Sequence, residues 1–121
     1  MGRQGHTLQD LREALEAVEL WRVVQALPKG LDTKLTSIGK PLSTGQAQRL
    51  VLARTLLGQP RLLLVDGALD AVDPETRARI TERLCAPDTP WTLLLVTHCE
   101  PSIAACQRRV EMPAPPALTE A

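Results

Sequence analysis

The stretch Lys40 to Arg54, KPLSTGQAQRLVLAR, joins a tight polar turn to a run in which Gln46, Gln48, Arg49 and Arg54 lie among apolar residues. Ser43 and Gln46 stand at the S-x-x-Q spacing of a capping box, in which each side chain satisfies one backbone donor at a helix start. The spacing predicts a helix from Ser43 to about Leu57, stopped by Gly58 and Pro60. The backbone N–H groups left free there, together with the positive end of the helix dipole, suit an anion, and a phosphate above all.

On either side the chain alternates. Upstream, DLREALEAVELWRVVQAL places Leu11, Leu15, Val18 and the Leu20 to Val24 cluster at helical spacing, which predicts one amphipathic helix over Asp10 to Leu27 with Asp10 as N-cap. PKGLDTKLTSIGKP follows as a loop punctuated by Pro28, Gly30, Gly39 and Pro41. Downstream, RLLLVD is a continuous apolar run ending in an acid, as in a parallel strand buried on both faces. DPETRARITERLC reads as a helix with Asp73 as N-cap and Pro74 at its first position. WTLLLVTH repeats the strand pattern, PSIAACQRR reads as another helix and RVEMP as a last short strand. The fold class is therefore α/β, a helical subdomain followed by an incomplete parallel sheet with flanking helices. Asp66 and His98 fall at the carboxyl ends of two strands, the edge at which ligands of open α/β sheets bind. Taken singly, Asp66 also reads as a turn cap and His98 as a partly buried histidine.

The 121 residues are the size of one ordinary domain. Lys plus Arg and Asp plus Glu each number 14, so no basic excess points to nucleic acid or an anionic membrane surface. Cys85, Cys99 and Cys106 form no C-x-x-C pair and read as reduced thiols of a cytoplasmic protein. No apolar run is long enough to insert in a membrane. MGRQGHTLQD lacks the apolar core of a signal peptide, and His6 stands where a myristoylation signal at Gly2 needs Ser or Thr. Proline-rich MPAPPALTEA reads as a disordered tail. There is no Phe or Tyr, and Trp21 and Trp91 are expected in the core.

Taken in order, these segments resemble the second half of the nucleotide-binding domain of ATP-binding cassette (ABC) transporters, exporter-like in the LPKGLDTKL segment, from about Leu8 to Val110. The family signature LSGGQ appears as Leu42-Ser43-Thr44-Gly45-Gln46, the Walker B strand as Leu62 to Asp66, the D-loop as Asp70-Ala71-Val72-Asp73 and the H-loop histidine as His98. Four motifs in the right order are far more specific than any one. The resemblance implies a partial P-loop NTPase fold. The expected organisation is an extension over 1–9, a helical subdomain with the signature over 10–57, a partial ATPase core over 58–112 and a tail over 113–121.

By the same resemblance, Ser43, Thr44, Gly45 and Gln46 contact the γ-phosphate of ATP held by the opposite cassette. Asp66 holds Mg²⁺ through a water, His98 contacts the γ-phosphate and the attacking water, and Asp73 supports the dimer interface. Thr44 replaces the first signature glycine with a β-branched residue. Gly67 stands where the family has its catalytic glutamate, which removes a group whose kind contributes ~10²–10⁴-fold. No G-x-x-x-x-G-K-[ST] string occurs, since in the one near match Lys34 stands at the first glycine and Pro41 at the hydroxyl residue.

ATP and Mg²⁺ are thus expected only in a site completed by a P-loop-bearing partner, with a membrane transporter subunit as the further partner and the inner membrane face as the location. The isolated chain is expected to be inactive. The alternative readings are a non-enzymatic module that docks on and regulates a complete cassette, and an α/β domain whose motifs are decayed ancestry.

Overall fold

The structure, a computed structural model, describes residues 5–117 of the chain. The first helix, α1 (Leu8–Ala17), is capped by Thr7 and not by Asp10. The Thr7 hydroxyl accepts from the Asp10 N–H at 3.1 Å, and the Thr7 N–H donates to the Asp10 carboxylate at 2.8 Å. The bond from the Thr7 N–H, first among the causes, holds the Asp10 carboxyl below its ordinary value.

The single helix expected over Asp10 to Leu27 is in fact two. After α1 the chain breaks at Glu19, which takes a left-handed φ of 59°, and resumes as α2 (Trp21–Gln25). Val18 and Leu20 are both fully buried at 0% exposure. Residues two apart on a continuous helix lie on nearly opposite faces, so the break is what buries both. It also turns the Glu19 carboxylate toward Arg79, at 2.7 Å, and Arg83, at 3.4 Å. A 3₁₀ turn at Gly30–Asp32 leads through the loop to α3 (Thr44–Leu57), the helix that Ser43 and Gln46 announce.

The remaining elements are β1 (Leu62–Asp66), α4 (Pro74–Leu84), β2 (Thr92–Val96) and α5 (Glu100–Ala105). The strands pair in parallel, from Leu62 beside Thr92 to Asp66 beside Val96. Their connection through α4 is the crossover that parallel pairing requires. The third strand expected at RVEMP does not form, and residues 106–117 carry neither helix nor strand. Arg109 spends its charge on Glu100 and Glu111, at 3.3 and 3.0 Å, while Val110 and Met112 stay exposed. Of the tail expected over 113–121, residues 118–121 lie outside the described residues, as do residues 1–4 with the Gly2 reading.

Leu15, Val18, Leu20 and Val24 join Leu52 and Leu56 of α3, Leu63 and Val65 of β1, and Ile80 and Leu84 of α4 in one core. Trp21 and Trp91 are partly buried against it, and the Trp91 ring N–H donates to the Leu84 carbonyl at 3.0 Å. Arg83 closes the other side of α4 by donating to the Glu16 carbonyl at 2.7 Å. Only one face of the sheet belongs to this core. Leu63 and Val65 are buried, whereas Leu62, Leu64, Leu94 and Val96 on the other face are 63%, 61%, 55% and 48% exposed. The expectation of strands buried on both faces is therefore corrected, because the described residues include nothing that covers the second face. No helix among the described residues is long and apolar enough to cross a membrane.

Candidate functional site

Ser43 sits just outside α3 with extended backbone, and its hydroxyl accepts from the Gln46 N–H at 3.1 Å. The Gln46 side-chain oxygen in turn accepts from the Ser43 N–H at 2.9 Å. The reciprocal pair fixes the turn and leaves the N–H groups of Thr44 and Gly45, at the first two helical positions, without intrahelical acceptors. Ser43 and Thr44 are exposed, and Gly45 and Gln46 partly so. An anion approaching along the axis of α3 meets these donors and the helix dipole together.

Gly45 lets α3 approach the loop after β1 closely. A Cβ at this position would stand 3.2 Å from the Ala71 carbonyl oxygen and 3.4 Å from its Cβ. The signature turn and the Asp70 to Asp73 loop therefore share one surface. Farther along α3, Gln48 and Val51 face Asp66, Gly67, Ala68, Asp70 and Ala71 across an open cleft of about 470 Å³.

Asp66 ends β1 beside Val96, and His98 follows two residues past that register position, so both stand at the carboxyl edge of the sheet and are exposed. His98 is not part of the cleft lining. Among the described residues no three His, Cys, Asp or Glu side chains cluster as a metal cage. Asp66 and Asp70 open on the same cleft, an oxygen donor set that fits Mg²⁺ only when phosphates and water supply the other ligands.

Gly67 takes a left-handed φ of 76°, and Asp70 donates its N–H back to the Gly67 carbonyl at 3.2 Å. The position at which the sequence resemblance expects a glutamate is thus also a turn that L side chains disfavour. Asp73 closes the loop as N-cap of α4, accepting from the Thr76 N–H at 2.9 Å. Hydrogen bonds from Thr76, first from its backbone and then from its hydroxyl, hold the Asp73 carboxyl below its ordinary value.

Two arginines that support the site carry no motif signal. Arg49 reaches from α3 to the carbonyls of Val18 and Glu19, at 3.0 and 3.2 Å, and caps the end of α1. Burial pushes its pKa down against the pull of Asp73 and Glu19. Arg77 folds back from α4 onto the loop before it, donating to the carbonyls of Leu69 at 3.1 Å and Val72 at 2.6 Å. In sequence both look like charges on amphipathic helices; the weak cue for Arg77 is its place one turn inside a capped helix that follows a loop.

A family profile described as ABC transporter matches residues 3–70. The chain is 36% identical over 97 residues to ABC transporter B family member 21 of Arabidopsis thaliana, covering 80% of this chain and 8% of that protein. It is 38% identical over 97 residues to the ABC transporter ATP-binding protein YwjA of Bacillus subtilis, covering 80% of this chain and 17% of that protein. In three dimensions it is similar to a bacterial Atm1-family ABC exporter with ATP bound, with a TM-score of 0.75 and 32% identity over 85% of this chain and 18% of that one. The chain thus spans only a small part of the length of the relatives it matches, 8% and 17% of these two.

Proposed function

The chain belongs to the ABC transporter family, and from that premise we propose that it carries the signature-bearing part of an ATP-binding cassette. In this reading Ser43, Thr44, Gly45 and Gln46 are presented to ATP whose phosphates are cradled by another stretch of polypeptide. The observation that supports it is the packing of the α3 start against Ala71, which puts a helix N-terminus and a D-loop on one surface. No phosphate-cradling G-x-x-x-x-G-K-[ST] occurs in the 121 residues.

The residues of this chain then divide the work. Free N–H groups at the start of α3 bind the γ-phosphate, with Thr44 crowding the approach. Mg²⁺, when bound, neutralises charge on the phosphates. Asp66 would hold the ion through a water, and His98, at the same sheet edge, would contact the γ-phosphate and the attacking water. Asp73 holds the interface with the second cassette while capping α4. Gly67 has no group to take a proton from that water, so the completed site binds ATP and turns it over slowly. The bare sheet face of Leu62, Leu64, Leu94 and Val96 is where the P-loop-bearing part docks. A membrane transporter subunit is the further partner, which keeps the chain at the cytoplasmic face of the membrane.

Photolabelling tests this reading. An ATP analogue with a photoreactive group on the γ-phosphate, bound to a P-loop-bearing half, is expected to label the peptide of this chain that carries Ser43 to Gln46. Labelling spread over the chain, or none, contradicts it.

A further inference from the structure

We propose that Arg77 is the positioning residue that sets the D-loop turn against the signature turn, its guanidinium clamping two backbone carbonyls of that turn from α4. The proposal rests on the functional reading above, since it explains how two motifs on separate elements reach the same ATP.

From Gly67 to Val72 the chain holds itself with two long backbone bonds, Asp70 N–H to the Gly67 carbonyl and Val72 N–H to the Leu69 carbonyl, each 3.2 Å. Leu69 and Val72 are buried beneath the turn, while Asp70 and Ala71 are exposed. Unaided, a turn of that kind opens readily. The Arg77 Nε donates to the Leu69 carbonyl and one terminal nitrogen to the Val72 carbonyl. These charge-assisted bonds come from a planar fork that spans two acceptors. A lysine at this position keeps the charge and loses the span.

Ala71, between the clamped carbonyls, is the residue that abuts Gly45, so fixing the turn also fixes its distance from the signature. The Cys99 thiol, next to His98, is lowered to about 7, by Ser102 first and then by Arg77.

Amide hydrogen exchange on the full chain without nucleotide, for Arg77→Lys and Arg77→Met, tests the assignment. The amides of Asp70 and Val72 are expected to exchange about tenfold faster or more, with those of Leu63 and Val65 unchanged. Because a packing role alone leaves thiol chemistry untouched, the pH profile of Cys99 alkylation is followed by mass spectrometry, and its midpoint should rise from about 7. If the Met variant fails to fold, Arg77→Lys, which retains the aliphatic stem, decides. Wild-type exchange at Asp70 and Val72, or an unmoved Cys99 profile, overturns the proposal. Both readouts omit nucleotide and the P-loop-bearing half, so a failure of the photolabelling experiment counts against the proposed function and not against Arg77.

Discussion

Gly67 carries two consequences at once, because it lacks the side chain that would activate water and its φ of 76° lies where a side chain is strained. Left-handed backbone costs an L residue ~1–2 kcal/mol, so Gly67→Ala is expected to lower stability by about that amount in urea unfolding. Gly67→Glu should pay the same strain and, in a completed cassette, raise kcat with little change in ATP affinity. A Gly67→Ala variant as stable as the parent would show that the turn is free to relax. The cap residue Asp73 makes a separate prediction about pH. Its folded carboxyl titrates below the usual 3.8, so the stabilisation it gives is complete above that value and is lost as pH falls through the lower folded value. Asp10 behaves alike at the start of α1. Asp73→Asn, which caps without titrating, should make the acid limb of a circular-dichroism titration shallower; an identical acid limb would rule out the cap as its source.

Among the elements, the two strands carry the sharpest contrast. Leu63 is 1% exposed and Leu64 61%, although they are neighbours in one apolar run. Leu63→Ala should cost ~2–5 kcal/mol. Leu64→Glu should change the stability of the chain alone by no more than about 0.5 kcal/mol and abolish docking of a P-loop-bearing half, as read by co-purification. Equal losses from the two substitutions would mean that the second face is covered. The run LLLVD announces a strand but not which face is packed, since an unbroken apolar stretch fits burial on both sides. α3 was legible because its start is local chemistry, a capping box three residues wide, and the two apolar runs ending in polar residues set Asp66 and His98 at one sheet edge. The break at Glu19 was not, because Val18 and Leu20 fit a helical pattern as counted and only the core decides that both turn inward. RVEMP reads as a strand by composition, yet strand formation depends on an edge to pair with, which composition does not supply. Arg77 and Arg49 were hidden for a related reason: their partners are backbone carbonyls, and carbonyls have no sequence signature.

The molecule as a whole carries two surfaces that nothing among the described residues completes. One is a phosphate-seeking edge, formed by the start of α3 and the Asp70 to Asp73 loop; the other is the bare apolar face of the sheet. Among the described residues neither meets a counterpart; the proposed reading calls for a cradle of backbone N–H groups with a lysine in the first case and an apolar face in the second. In the proposed reading, a single P-loop-bearing stretch, in two copies of the assembled cassette, would supply both. Calorimetric titration with Mg²⁺–ATP tests this most directly, run once on the chain alone and once on its equimolar mixture with a P-loop-bearing half. The expected result is no measurable heat of binding for the chain alone and saturable binding for the mixture, tighter than for the P-loop half by itself and weakened by Ser43→Ala. Saturable binding of one ATP by the chain alone, or a mixture that binds no better than the P-loop half by itself, would contradict the account.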